Sequence, residues 1–257
     1  MISRQRGTAQ APDVFMQMVE SSNQYYIAIE GHIVSAMETF HRVTGRKYEP
    51  LEYCYYGSSQ PRVAIICMGS GASVIDGTLK HLKSETTCLL AVRMFRPWNG
   101  KRFVQALPET ITRIAVLDRT REGGSQGEPL YLDVCTSLMQ EGKGSIFVAG
   151  GRYGLGSKDF TPRMVSAIIQ NMLRKSVNDI QRPFTVGITD DVTKLSLPLG
   201  RHLNILDSSV TQCVFWGFGS DGTYLFPFPR YWTKFGSIRC SHIALLLQEP
   251  SVPTILQ

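Results

Sequence analysis

The feature that most restricts the fold is a unit repeated along the middle of the chain: a short continuous apolar run, a turn, then a stretch with helical periodicity. Arg62-Val-Ala-Ile-Ile-Cys-Met68 is followed by Gly69-Ser-Gly71 and by residues 72–83, where Val74, Ile75, Leu79 and Leu82 fall on one helical face. The unit returns as 87–94 with 100–107, as 111–117 with 130–140, and as 145–149 with 161–175. In the last of these, Thr161-Pro162 reads as an N-cap followed by a first-turn proline. Strands apolar on both sides, alternating with helices, belong to a parallel sheet covered on both faces. Right-handed crossovers then follow. The expectation is an α/β domain with a doubly wound, mostly parallel sheet.

Upstream, Tyr26, Ile29, Ile33, Met37 and Phe40 recur at three- and four-residue steps between polar Glu30, His32, Ser35 and Glu38, which predicts an amphipathic helical arm over 12–46. Gly45 stands where a C-cap glycine would, and the tyrosine-rich stretch 47–60 reads as a connection. Downstream the chain turns polar after Ser176 and reaches Arg182-Pro183, so a boundary is expected near residue 180. Residues 184–188 and 212–216 read as strands opening a second domain, and the latter runs into Gly217-Phe-Gly-Ser-Asp-Gly-Thr223. The expected organisation is a disordered start over 1–11, arm and linker over 12–49, an α/β domain over 50–180, an incomplete second α/β domain over 181–223, and a tail over 224–257.

Composition narrows the classes of function. A length of 257 residues at 43% hydrophobic content is room for about two packed domains, which excludes a disordered chain. The apolar runs, such as 63–68, are far short of the roughly 20 residues of a membrane span. The net charge of +6 is spread singly rather than clustered with aromatics, so neither nucleic acid nor membrane is expected as a partner. The six cysteines include no Cys-x-x-Cys pair, which leaves no zinc or iron–sulfur signature. Cys67 and Cys88 lie in apolar runs and read as buried thiols of a reducing, intracellular compartment. His32, His41, His81, His202 and His242 are isolated, with no metal-ligand spacing.

Two glycine-rich turns follow predicted strands. The one at 68–73 lacks both the dinucleotide spacing and the P-loop lysine, so it reads as a tight strand-to-helix turn. The one formed by Gly217, Gly219, Ser220, Asp221, Gly222 and Thr223 is a candidate for phosphate or coenzyme A approach, because glycines admit a ligand close to the backbone. Charged segments at 93–98, 118–129 and 150–158 sit at the carboxyl ends of predicted strands, where such folds place ligands. Arg96, Asp118, Arg119, Glu128 and Arg152 are candidates for salt links that fix these loops against a neighbouring domain, ahead of direct catalysis.

These same loops carry a resemblance. Ile114-Ala-Val-Leu-Asp-Arg-Thr-Arg-Glu122, Gly127-Glu-Pro-Leu-Tyr-Leu-Asp-Val134 and Gly150-Gly-Arg-Tyr-Gly-Leu-Gly-Ser-Lys-Asp-Phe-Thr-Pro162 resemble, in order and spacing, the middle of pyruvate:ferredoxin (flavodoxin) oxidoreductases and their pyruvate:NADP relatives. Asn23-Gln-Tyr-Tyr26 begins the match, and Phe184-Thr-Val-Gly-Ile-Thr-Asp-Asp-Val-Thr193, Leu195-Ser-Leu197 and Phe215-Trp-Gly-Phe-Gly-Ser-Asp-Gly-Thr223 continue it. The resemblance implies a transketolase-carboxyl-terminal-like domain leading into the start of a coenzyme A-associated one. It places the chain within a longer enzyme that converts pyruvate and coenzyme A to acetyl-CoA on thiamine diphosphate and passes electrons through iron–sulfur clusters to ferredoxin, flavodoxin or NADP.

The pattern is not followed everywhere. Gln24 and Gly123 stand where the family usually has proline, and after Thr223 the family's Val-Gly-Ala-Asn-Lys is replaced by Tyr224-Leu-Phe-Pro-Phe228, as a truncated or mis-spliced product would read. The resulting expectation is a segment with no catalytic or metal residue and no bound cofactor of its own. It would be inactive alone, partnered by the remaining domains or subunits, and located in the cytoplasm or a mitochondrion-related organelle. The alternatives are a stand-alone assembly subunit and a coenzyme A- or phosphate-binding module.

Overall fold

The computed structural model describes residues 11–188 and 192–206, apart from the side chain of Ser157. Residues up to Leu203 form one compact unit, and a second begins at Asn204. The expected strand at 212–216 and the Gly217–Thr223 turn, with Gly219, Ser220, Asp221 and Gly222, lie outside the described residues.

The predicted alternation is present. After helices α1 (Pro12–Ser21) and α2 (Asn23–Thr44) come β1 (Leu51–Cys54), β2 (Val63–Met68), α3 (Ser70–Leu82), β3 (Thr87–Val92), α4 (Gly100–Ala106), β4 (Arg113–Asp118), α5 (Pro129–Gln140), β5 (Phe147–Tyr153), α6 (Pro162–Met172) and β6 (Phe184–Val186). The strands form one six-stranded sheet in the order β1-β3-β2-β4-β5-β6. Every pair is parallel except β1 with β3, which runs antiparallel at one edge.

Alternation along each strand divides the core between the two faces. Val63, Ile65 and Cys67 point to the side packed by Ile75 and Leu79 of α3 and Val165, Ile168 and Met172 of α6. Ala64 and Ile66 point to the side packed by Phe103 of α4 and Leu130, Val134 and Leu138 of α5. Cys67 and Cys88 are both buried. With both faces covered, the polar ends of the strands are left as the place for charged chemistry. The chain leaves β2 toward β3 and then returns past it to β4, so the carboxyl ends of β2 and β4 mark the topological switch point.

Several boundaries differ from the sequence reading. The arm is two helices joined at Ser22, whose φ of −76° and ψ of −21° keep it nearly helical. The stretch read as a connection contains β1, whose four residues are too few to establish a period. The fourth strand continues past Ala149 through Gly150, Gly151 and Arg152 to Tyr153, so Arg152 belongs to a strand and not to a loop. Its glycines are packing requirements: a Cβ on Gly151 would lie 2.3 Å from the Phe184 ring, and one on Gly150 would lie 3.0 Å from the Tyr131 ring. Thr161 occupies the N-cap position of α6 but makes no capping bond, and its Oγ1 is buried without a partner. That helix ends at Met172 instead of Lys175.

The sheet also extends past the boundary expected near residue 180. Phe184, Thr185 and Val186 pair in parallel with Gly151, Arg152 and Tyr153, and Leu197 donates its N–H to the Thr185 carbonyl at 2.8 Å. Phe184 is fully buried, which the polar run before it conceals. Phe184→Ala should therefore cost the main domain about 3–5 kcal/mol, the range for emptying a buried aromatic site. Urea unfolding followed by circular dichroism would measure it. An unchanged midpoint would place β6 outside the cooperative unit.

Candidate functional site

The charged residues singled out by sequence gather at the carboxyl edge of the sheet, and the structure supplies their partners. Asp118 ends β4 and Arg152 is its register partner on β5. Asp118 is 1% exposed and points at the start of α5, where Oδ1 accepts from Leu130 N at 3.0 Å and Oδ2 from Tyr131 N at 3.1 Å. The first N–H groups of a helix have no partner inside it, so this carboxylate closes the amino end of α5 from a neighbouring strand. Burial pushes the Asp118 carboxyl above its ordinary range, while the two backbone N–H groups pull it back down.

Glu128 precedes Pro129 at the same helix end and is also buried. Its Oε1 lies 3.1 Å from Arg152 Nη1 and 3.5 Å from Arg121 Nη1, and its Oε2 accepts from Glu122 N at 2.6 Å. A buried carboxylate is tolerated only when paired and hydrogen-bonded, and all three donors come from this one edge. They tie the 119–128 loop to β5. Arg119 continues the link by donating through Nε to the Gly154 carbonyl at 3.0 Å. Arg96, after β3, meets Asp133 of α5 at 2.7 Å and lies 3.8 Å over the Phe95 ring.

One side of the turn after β2 is filled by a side chain. Gly69 sits at φ +62°, and a Cβ on Gly71 would fall 2.3 Å from the Tyr153 hydroxyl. That hydroxyl donates to the Met68 carbonyl at 3.4 Å and accepts from the Cys67 thiol at 3.5 Å. The glycines admit a tyrosine from β5, as a tight strand-to-helix turn requires. Beside the turn a cleft of ≈440 Å³ is lined by Glu52, Cys54, Ser70, Ser73, Asp76 and Arg93, among others. Glu52 pairs with Arg93, and Asp76 accepts from the Tyr56 hydroxyl at 2.6 Å.

Burial pushes the Cys54 thiol up to about 12, the Cys67 thiol to about 11 and the Cys88 thiol to about 12, and it also raises Cys135. A thiol protonated at neutral pH is a poor nucleophile and a poor ligand. Among the described residues, no group of three or more His, Cys, Asp or Glu side chains could hold a metal ion. Nor, among them, is any helix long and apolar enough to cross a membrane. At the edge itself, Asp118 is directed at a helix end, Glu128 at Arg121 and Arg152, Arg96 at Asp133 and Arg119 at a backbone carbonyl.

Arg96, Asp118, Arg119, Glu128 and Arg152 are therefore brought to one edge and engaged within the chain. Sequence reasoning missed Arg121 as a partner of Glu128, Asp133 as a partner of Arg96 and the Gly154 carbonyl as the acceptor for Arg119. The Arg152–Glu128 pair depends on the register of β4 with β5, the Arg96–Asp133 pair on the packing of α5, and the Arg121–Glu128 pair on the folding of one loop. Asp118→Ala leaves two helix-end N–H groups without an acceptor and should destabilise the domain by about 1–3 kcal/mol or more. Asp118→Asn, which keeps one acceptor oxygen, should fall between. Thermal unfolding measures both, and an Asp118→Ala midpoint equal to that of the parent chain would contradict the assignment.

No family model matches the chain. It is 46% identical over 221 residues to the pyruvate:ferredoxin oxidoreductase of Moorella thermoacetica, a span that covers 85% of this chain and 18% of that protein. It is 43% identical over 222 residues to the pyruvate-flavodoxin oxidoreductase of Trichormus variabilis, with the same coverage of 85% and 18%. With the pyruvate dehydrogenase (NADP+) of Cryptosporidium parvum it shares 44% identity over 224 residues, covering 85% of this chain and 11% of that one. The chain thus spans less than a fifth of the length of these relatives. A solved aspartate aminotransferase from Rhizobium meliloti overlaps it at 14% identity, over 56% of this chain and 40% of its own, with a TM-score of 0.22, a level that carries no argument.

Proposed function

From its kinship with one segment of the pyruvate:ferredoxin (flavodoxin) oxidoreductases, we propose that this chain is the counterpart of a supporting α/β domain of such an enzyme. The parent reaction converts pyruvate and coenzyme A to acetyl-CoA and carbon dioxide and passes the electrons to ferredoxin, flavodoxin or NADP. In this reading the chain contributes no reacting group. Its carboxyl-edge loops present a fixed surface to the remaining domains or subunits. The observation that carries the reading is the pairing of Glu128 and Arg152 beside the helix cap by Asp118, which commits the charged edge residues to one another.

The residues present bear directly on the cofactors of the parent reaction. An iron–sulfur cluster needs several thiolates converging on one point, whereas Cys54, Cys67, Cys88 and Cys135 are free and their thiols are raised. At the glycine turn after β2, where a diphosphate would approach a helix end, Tyr153 occupies the Gly71 side, and the cleft on the Gly69 side carries the carboxylates of Glu52 and Asp76, with its Arg93 already paired to Glu52. The described residues fit neither group, and no step is assigned through them. Residues 217–223 keep their role as a candidate coenzyme A or phosphate approach in the parent enzyme, on the strength of composition alone. The transketolase-like placement of the main domain and an intracellular location, cytoplasmic or in a mitochondrion-related organelle, belong to the same proposal. A Euglena gracilis relative is named as mitochondrial.

The purified chain should be colourless and should not reduce viologen when given pyruvate and coenzyme A. It should also bind coenzyme A only weakly, because such a site draws groups from several segments. Absorbance and calorimetry test the two expectations separately. Iron–sulfur absorbance would overturn the non-catalytic reading, and tight coenzyme A binding would favour a ligand-binding module instead.

A further inference from the structure

The arm is unlike the rest of the described structure in what it leaves exposed. Its apolar residues Phe15, Val19, Tyr26, Ile29, Ile33, Ala36 and Phe40 fall on one face at four- and three-residue steps, a stripe interrupted at the junction of the two helices by polar Ser22. The stripe meets two different environments. Around Ile29, Ile33 and Met37 it is half-buried, and Glu30 fastens it to the body through Arg102 at 2.6 Å and Asn99 at 2.6 Å. Ahead of that point nothing among the described residues covers it: on the stripe Phe15 is 54% exposed, Val19 41% and Tyr26 56%, beside it Met16, Tyr25 and Ile27 are exposed as well, and neither helix contains a buried residue. Isolated apolar side chains on a surface are ordinary, but a cluster this dense marks an interaction surface.

We propose that the first half of the arm, α1 with the first turn of α2, is the docking element by which this chain seats on the rest of the oxidoreductase, in an apolar groove rimmed by Lys or Arg. The inference rests on the function proposed above and names its contact surface. Three observations select this occupant. The stripe continues, interrupted only by Ser22 at the helix junction, from a part already used as an interface to a part that is not. The relatives contain more than four-fifths of their length outside the matched span, so a large partner surface accompanies the arm in them. Charge indicates what the groove carries: Asp13 and Glu20 flank the apolar residues, and no Lys or Arg occurs between residues 7 and 41. The carboxyl-edge loops, by contrast, have already spent their charges within the chain.

The test compares the 257-residue chain alone with a chimera in which it replaces the matched span of the Moorella thermoacetica enzyme. Amide hydrogen exchange over residues 12–27 should be fast in the isolated chain and slowed about tenfold or more in the chimera. Phe15→Ser with Tyr26→Ser should abolish that slowing and lower the chimera's melting temperature, while leaving that of the isolated chain unchanged. Equal exchange in both settings would overturn the docking role while leaving the family reading intact. An insoluble parent chimera would instead count against the supporting-domain reading, and the inference would fall with it. If the isolated chain proves dimeric by light scattering and the same double substitution makes it monomeric, the occupant is a second copy and the proposal is wrong.

Discussion

The buried Glu128 carboxylate is the constraint around which the functional edge is organised. Removing a charge from water is costly, so a carboxylate left only 6% exposed must be met by donors that stay in place. Arg152 meets it from β5 and the Glu122 N–H from its own loop, with Arg121 farther out. Arg152 can do so because its register partner Asp118 ends β4 at the same level and turns the other way, onto the amino end of α5. One strand pair, one helix start and one loop are thereby fixed together. Loss of any member leaves a buried charge or a helix end without a partner.

The rest of the domain makes that arrangement possible and gives it a place to act. A parallel sheet covered on both faces has no polar surface except at the strand ends, so charged groups collect there. In a relative of a pyruvate oxidoreductase segment, such an edge would usually be searched for catalytic residues. Here its members face inward at one another, and the described thiols are held protonated by burial. The domain is better understood as a rigid body with one surface set by ion pairs and another, on the arm, still apolar and exposed. The two surfaces differ in kind: one is complete within the chain, and the other is not.

Much of this was legible in the residues. Apolar strands such as 63–68 and 111–117 announce themselves because both faces are buried, and the glycine turn at 69–71 punctuates the sequence clearly. The parts that were not legible have physical causes. β1 is only four residues long at an edge and offers no period to read, and β6, legible as a strand at 184–188, follows a polar run that made it read as the start of another domain. Gly150 and Gly151 look like a loop until the rings of Tyr131 and Phe184 are seen to occupy the space of their missing side chains. Thr161 has the residue type of a cap but not the bond. Asp118, Glu128 and Arg152 could be picked out from sequence as residues fixing loops against a neighbouring domain, but that Arg152 meets Glu128 within the chain depends on strand register.

The central claim, that the charged edge is a folding element held by a buried ion pair, is tested most directly by a double-mutant cycle on Glu128 and Arg152. The quantity measured is the unfolding free energy of the parent chain, Glu128→Gln, Arg152→Met and the double variant. The account expects each single change to be costly, since it strands a buried partner, by about 3–5 kcal/mol at the upper end. It expects the double variant to cost much less than the sum, with a coupling of at least about 1 kcal/mol. Additive effects, with no coupling beyond about 0.3–0.5 kcal/mol, would contradict it and return Glu128 and Arg152 to the pool of residues available for another role.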